Sequence, residues 1–241
     1  MLNIQHYSKT YPGGKQAVDD LSLTVEDGEI MAFIGHNGAG KTTTLRAAAG
    51  VMSFTEGTIT IDGHDIRRDP VAAKQVTAFR PDNPDLYEYL TGIQYLDFIG
   101  DLYGVSAEDR RARIEQYAGG FDLMPALGSP IGSYSHGMKQ KLALVSAFLR
   151  APRLLILDEP FVGLDPSASH RLKGYLAQLC QGGGAVFFST HVLEVAEKLC
   201  HRVAIIKDGK LISLGRMEDV VGDSTLEEVF LRQAAEGQNH G

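Results

Sequence analysis

The stretch that most limits what this chain can fold into is Ile34-Gly35-His36-Asn37-Gly38-Ala39-Gly40-Lys41-Thr42-Thr43. It fits the pattern G-x-x-x-x-G-K-[ST] at Gly35, Gly40, Lys41 and Thr42. Glu29 to Ile34 before it is a short apolar run of strand character, and Thr43 to Ala49 after it is rich in helix formers and ends at Gly50. A strand feeding a helix through glycines turns successive backbone N–H groups toward one point, where the helix N-terminus adds partial positive charge. Gly38 and Gly40 permit backbone geometry and close approach that a Cβ forbids. Lys41 then reaches the β- and γ-phosphates of a nucleoside triphosphate, and the Thr42 hydroxyl can ligate Mg²⁺. A chance glycine-rich turn would lack the strand before it and the helix after it. The pattern leaves open which nucleotide is bound and what its energy is used for.

At 241 residues the chain has ample length for a sizeable core, as one large domain or a domain with an insertion. Twenty-three basic against 30 acidic residues give a net charge of −7, which disfavours a broad nucleic-acid-binding face. No N-terminal signal pattern is present, and no apolar run approaches the ~18–20 residues a membrane span needs. The expectation is a protein soluble by itself. Cys180 and Cys200 have neither CxxC nor metal spacing and read as small buried thiols. The eight histidines form no HxxxH pair, so no zinc site is expected.

Residues 2 to 25 read as two strands around a turn at Pro12-Gly13-Gly14, with Tyr11 just before it. Thr58 to Ile61 followed by Asp62-Gly63 reads as a strand into a hairpin, which suggests a small antiparallel sheet beside the main one. Val76 to Phe79 is another short strand. From Leu86 to about Leu149 the pattern turns helical, as an insertion between strands of an α/β core would, and Ser106 to Asp109 approximates a capping box. The Arg110-Arg111-Ala112-Arg113 run is expected to be a solvated helix face. Alternation then resumes: a buried strand at Leu154–Leu157, a helix at Pro166–Gln181, a strand at Ala185–Phe188, a helix over Val192–Leu199, and a strand–turn–strand from Val203 to Leu214. A short helix over Thr225–Ala234 should lead into a polar tail that frays.

The apolar strand at Leu154 ends in Asp158-Glu159-Pro160, where open α/β sheets place their ligands. Asp158 is suited to hold Mg²⁺ directly or through water, and Glu159, one residue on, to polarise an attacking water. His191 follows the Ala185 strand through Ser189-Thr190 and can reach the γ-phosphate edge of such a site, although a lone histidine is more often structural.

Tyr134-Ser135-His136-Gly137-Met138-Lys139-Gln140-Lys141 resembles the signature LSGGQQQR of ATP-binding cassette (ABC) transporters. The phosphate loop, this signature, Asp158-Glu159, Gly163-Leu164-Asp165-Pro166 and His191 follow one another in that family's order, over roughly residues 1 to 220. The resemblance implies an α/β fold: a phosphate-loop NTPase core with a mainly parallel sheet, a small antiparallel β subdomain and an inserted α-helical subdomain at about 86–150. An ATP-binding domain would span 1–222, with a C-terminal helix and polar tail over 223–241. It further implies Tyr11 stacked on adenine, Gly35 to Thr43 around the triphosphate of ATP, Thr42 and Asp158 on Mg²⁺, Glu159 as catalytic base and His191 on the γ-phosphate. Ser135 and Gly137 would contact the γ-phosphate of ATP bound to a second ABC subunit, identical or not, and Asp165 would communicate across that interface. The loop near Asp82 and the helical insertion would receive a short helix of a transmembrane permease subunit, at the cytoplasmic face of the membrane.

Two departures from the family pattern stand out. Asp82 occupies the place of a usual glutamine, so it can still ligate Mg²⁺ or its waters but has no amide donor and a shorter reach. His136 and Met138 replace a glycine and a glutamine of the signature, while Ser135 and Gly137 are kept. The texture of Arg80–Thr91 and of the signature resembles bacterial exporters. The competing reading is a soluble cassette ATPase acting on nucleic acid or ribosomes; the net charge, the lack of a long coiled coil and the presence of one cassette speak against it. A GTPase switch would want an N-K-x-D motif, which the sequence lacks.

Overall fold

The structure, a computed structural model, describes residues 1–236. Its centre is a set of strands buried at every residue: β3 (Ile30–Ile34), β7 (Leu154–Asp158) and β8 (Ala185–Thr190). An unbroken apolar run behaves this way only where both faces of a parallel sheet are covered. With β6 (Thr77–Arg80), β9 (Arg202–Lys207) and β10 (Lys210–Arg216) they form a six-stranded sheet in the order β10-β9-β3-β8-β7-β6, parallel except for the β9–β10 hairpin.

Because strand side chains alternate with a period of two, the same strands feed two separate cores. Ile30, Ala32, Ile34, Leu155, Leu157, Val186 and Phe188 join one core with Leu142 and Phe148 of α5 (His136–Leu149) and Leu172 and Leu176 of α6 (Pro166–Gln181). Met31, Phe33, Leu154, Ile156 and Phe187 join the other. That second core is closed by Leu45 and Ala48 of α1 (Lys41–Ala48) and by a four-stranded antiparallel sheet. The latter has the order β2-β1-β4-β5, from β1 (Leu2–Thr10), β2 (Gln16–Val25), β4 (Glu56–Ile61) and β5 (His64–Asp65). The helix after the phosphate loop therefore lies between two sheets, held on both sides.

Between β6 and its parallel neighbour β7 the chain leaves the sheet to form α3 (Gly92–Leu102), α4 (Ala107–Gly120), two short 3₁₀ turns and α5. Each helix starts on a hydroxyl cap. Thr91 accepts from the Gln94 N–H, with the Gln94 side chain returning the bond, Ser106 accepts from the Asp109 N–H, and Ser135 from the Met138 N–H.

Some sequence expectations need correction. Val76 ends a helix, α2 (Pro70–Val76), so β6 starts at Thr77, and a second helix, α8 (Met217–Val221), was also not foreseen. At seven and five residues both are too short to show a helical period. The arginine run is not simply a solvated face. Arg110 lies over Gly100, where a Cβ would fall 2.3 Å from its Nε, and pairs with Asp97 at 3.2 Å and with Asp101. Arg113 donates to the Leu149 carbonyl, 2.9 Å away. A glycine on α3 makes room for a guanidinium that charge alone would have sent to solvent.

The helix α7 (Leu193–Leu199) packs against α9 (Leu226–Glu236), whose Leu226 and Val229 join the core shared with α5 and α6. The polar tail expected to fray lies outside the described residues. Among these, no helix is long and apolar enough to cross a membrane.

Candidate nucleotide site

The phosphate loop connects β3 to α1, and two backbones press on it from below. A Cβ at Gly35 would lie 2.4 Å from the Ile206 carbonyl oxygen, and one at Gly40 2.5 Å from that of Ala17. Gly40 also carries φ +111 and Gly38 φ +83, so the freedom that the sequence pattern demands is used. Ala39 is fully buried, its carbonyl accepting from the Gly209 N–H at 3.0 Å. Lys41 is buried as well, and its Nζ donates to the carbonyls of Gly35 (2.6 Å) and His36 (3.3 Å). Burial pushes its ammonium below the usual lysine value, with the Glu159 and Asp158 carboxylates acting in the opposite sense.

Above the loop lies a cavity of about 310 Å³. Asn37, Gly38 and Gly40 to Thr43 form one wall; Tyr11, Lys15 and Ala17 form a second; Asp82, Asp158 and Glu159, at or just beyond the C-terminal ends of β6 and β7, form a third. The Tyr11 hydroxyl sits 3.1 Å from Thr43 Oγ1, with the Lys9 ammonium 5.6 Å from the ring centroid. Gly35 and Ala39 are floor rather than wall, and their contribution is backbone packing.

The carboxylate pair is held by β8. Ser189 Oγ donates to Asp158 Oδ1 at 2.5 Å and accepts from the Glu159 N–H at 3.1 Å. Glu159 stands at φ +46, uncommon for a residue with a side chain. Its Oε2 lies 3.0 Å from His191 Nδ1 and accepts from the His191 N–H at 3.3 Å. His191 is thus placed against Glu159 and is not among the residues lining the cavity. Under the pair lies Arg80, whose guanidinium is pushed down to about 10 by burial, opposed by the charges of Asp82 and Asp158.

For Mg²⁺, Thr42, Asp82 and Asp158 offer hard oxygen donors around one cavity, the donor set this ion prefers. Ser189 takes up one lone pair of the Asp158 carboxylate, whose remaining acceptor sites stay open to an ion. The residues fit.

Ser135, Gly137 and Asp165 are elsewhere. None lines the cavity. Ser135 caps α5, and Asp165 caps α6 by accepting from the Ala168 N–H at 2.8 Å. Asp165 also pairs with Lys141 at 2.7 Å, and that hydrogen bond, ahead of the one from Ala168, holds its carboxyl below the usual range. Buried Gln140 ties the signature helix to the Asp82 loop: its Nε2 donates to the Asp82 carbonyl (2.9 Å) and lies 3.1 Å from His136 Nε2. A carbonyl only accepts, so the amide orientation is fixed. His136 Nε2 then accepts, and the ring proton sits on Nδ1.

Sequence reasoning missed Lys15, Ala17, Ser189, Arg80 and Gln140. Ser189 carried a faint signal, a polar residue continuing an apolar strand. Arg80 carried another, a charge directly following a strand. Neither signal names its partner.

The comparisons with known proteins agree with this geometry. The family model described as ABC transporter matches residues 18–162. The ABC transporter ATP-binding protein NatA of Bacillus subtilis is 32% identical over 244 residues, covering 98% of this chain and 99% of the relative. A solved structure described as the ATP binding subunit of an ABC transporter has a TM-score of 0.93 at 33% identity, covering 97% of this chain and 99% of the other. The ATP-binding cassette MJ0796, solved as a dimer in a post-hydrolysis state with ADP and Pi, shares the fold with a TM-score of 0.82 at 23% identity, covering 90% and 99%. A family match over more than half the chain and a relative spanned almost end to end place it plainly: the chain belongs to the ABC transporter family, as an ATP-binding ATPase subunit.

Proposed function

We propose that this chain powers transport, in the export direction, through separately encoded transmembrane subunits, and that it works at the cytoplasmic face of the membrane as a head-to-tail pair. The observation that carries the reading is a division of parts. One cavity gathers the phosphate loop, Asp158 and Glu159, while Ser135 and Gly137 sit at a helix start outside it. Two subunits facing head to tail would bring each Ser135–Gly137 turn over the other's nucleotide. The dimeric MJ0796 cassette, bound to ADP and Pi, is a precedent of the same fold.

In this reading Tyr11 stacks on adenine, and the backbone N–H groups from Gly35 to Thr43, with Lys41, hold the triphosphate. Thr42, Asp158 and Asp82 would hold Mg²⁺, which would offset negative charge on the triphosphate. Glu159 takes the proton of the water that attacks the γ-phosphorus, as the bond to the ADP oxygen breaks. His191, through Nδ1 and its N–H, keeps that carboxylate oriented and lies beside the γ-phosphate edge. Ser135 and Gly137 bind the γ-phosphate of the partner's ATP, so ATP closes the pair and hydrolysis loosens it. Asp165, beside that surface, links the two copies. The ATP-binding unit takes in residues 1–222, with α9 appended.

The docking face for the membrane subunit is the aromatic surface of the insertion. Tyr87 lies 6.0 Å from Tyr89 and 5.7 Å from Phe98, ring centre to ring centre, and all three are exposed. An apolar helix end from a membrane subunit suits such a surface. The net charge of −7 speaks against a nucleic-acid partner.

Affinity purification from detergent-solubilised membranes tests the reading. An integral membrane protein should co-elute, raise or couple the ATPase rate on reconstitution, and be lost with Tyr89→Asp. Recovery of ribosomes or DNA without a membrane protein would sink the transporter assignment.

A further inference from the structure

A charged side chain lies beneath the carboxylate pair. Arg80 closes β6 in register with Leu157 of β7, and it is 1% exposed. Its Nη1 donates to the carbonyl oxygens of Asp158 (2.8 Å) and Glu159 (3.3 Å). Its Nε and Nη2 are buried without a hydrogen-bond partner among the described residues. The hydrogen bonding of this cation is therefore spent on two consecutive carbonyls of one turn. Burying a guanidinium with two of its nitrogens unpaired is unfavourable, and a methionine of similar length would fill the same space without that penalty. Stability alone does not account for an arginine here.

The turn it grips is one that needs holding. At φ +46, Glu159 occupies a left-handed conformation that relaxes unless its surroundings enforce it. β8 fixes the amide side, through the Ser189 carbonyl at 3.2 Å and hydroxyl at 3.1 Å from the Glu159 nitrogen. Arg80 fixes the carbonyl side. The turn is clamped from both neighbouring strands, and the Glu159 side chain it presents lines the nucleotide cavity.

We propose that Arg80 is a positioning residue for ATP hydrolysis, holding the Asp158–Glu159 peptides so that the Glu159 carboxylate stays aimed at the reacting centre. It touches neither nucleotide nor attacking water and acts through Glu159. The proposal rests on Glu159 being the catalytic base.

A double-mutant cycle of Arg80→Met and Glu159→Gln tests it, with thermal unfolding, ATP affinity and turnover measured on each purified chain. Arg80→Met should lower kcat by at least about tenfold while ATP Kd stays within about threefold. Arg80→Lys, which keeps a cation with donors on a single nitrogen, should recover part of the loss. In the Glu159→Gln background the same Arg80→Met change should lower the residual rate by less than about twofold, because no carboxylate remains to be aimed. A folded Arg80→Met chain with kcat within about twofold of the parent, or an equal fold-loss in both backgrounds, overturns the proposal. Should Arg80→Met not fold, Arg80→Lys takes its place in the cycle: a kcat loss of at least about threefold that shrinks below about twofold in the Glu159→Gln background supports the proposal, and a smaller loss, or an equal fold-loss in both backgrounds, overturns it. Near-normal turnover of Glu159→Gln by itself is a different failure, removing Glu159 from the base role whatever Arg80 does.

Discussion

The phosphate loop and the Ser135 turn both stand at the start of a helix, yet the two ends are built in opposite ways. At α1 the capping position is Gly40, in a left-handed conformation with no side chain to satisfy the first N–H groups, and the end opens into a cavity walled on three sides. At α5 the Ser135 hydroxyl accepts from the Met138 N–H, and neither Ser135 nor Gly137 lines the cavity over the phosphate loop. A helix start offers donors and partial positive charge in both cases. The first keeps them for a ligand inside the same chain. The second spends one of them on its own serine hydroxyl and stands outside that cavity, as the proposed division between binding and a partner's completion of the site requires.

The largest expected effect lies on the first side of that comparison. Lys41→Ala removes the buried ammonium between loop and carboxylates, and should weaken ATP binding by about 100-fold or more in equilibrium titration. Ser135→Arg is the counterpart. ATP Kd should stay within about threefold, while kcat falls by at least about tenfold and light scattering finds no ATP-dependent dimer. If the two variants lost ATP binding equally, the division between a complete site and an incomplete one would be broken.

The smallest effect sharpens the second side. Lys141→Met removes the main cause of the low Asp165 pKa. A carboxyl depressed in the folded state contributes stability that is present above its ordinary value, near 3.8, and lost as pH falls through the still lower folded value. The melting temperature of Lys141→Met should therefore lie slightly below the parent's at pH 7, and the gap should close below about pH 3.8. The pair is half-exposed on the Asp165 side, so the gap is small. A gap that persisted unchanged in acid would mean that Lys141 acts by packing alone.

The order of motifs and the sheet strands were readable because each rests on a local rule. The glycine spacing sits on strand–loop–helix geometry, and unbroken apolar runs such as Leu154–Leu157 belong inside a parallel sheet. α6, Pro166–Gln181, was readable to the residue, since Pro166 marks its first turn and Leu172 and Leu176 its buried stripe. What stayed hidden was pairing across distance. Nothing near Arg110 in sequence shows that Gly100 leaves a recess for it. Nothing near Arg80 shows that its partners are carbonyls 78 and 79 positions away. His191 was expected at the phosphate edge, whereas its ring meets the Glu159 carboxylate first. Local patterns fix which elements form; which side chain answers which depends on how strands stack, and that is decided only in three dimensions.

The single amide of Gln140 has a mechanical consequence. One nitrogen supplies both hydrogens, one to the Asp82 carbonyl and one to the His136 ring, and the buried amide oxygen has no hydrogen-bond partner among the described residues. The two contacts cannot be adjusted one at a time. A push on the Asp82 loop either travels as a rigid displacement to the first turn of α5 or tears one of the two bonds. The Asp82 loop and the turn that the proposed pairing sets against a second subunit are coupled by a strut two hydrogen bonds long.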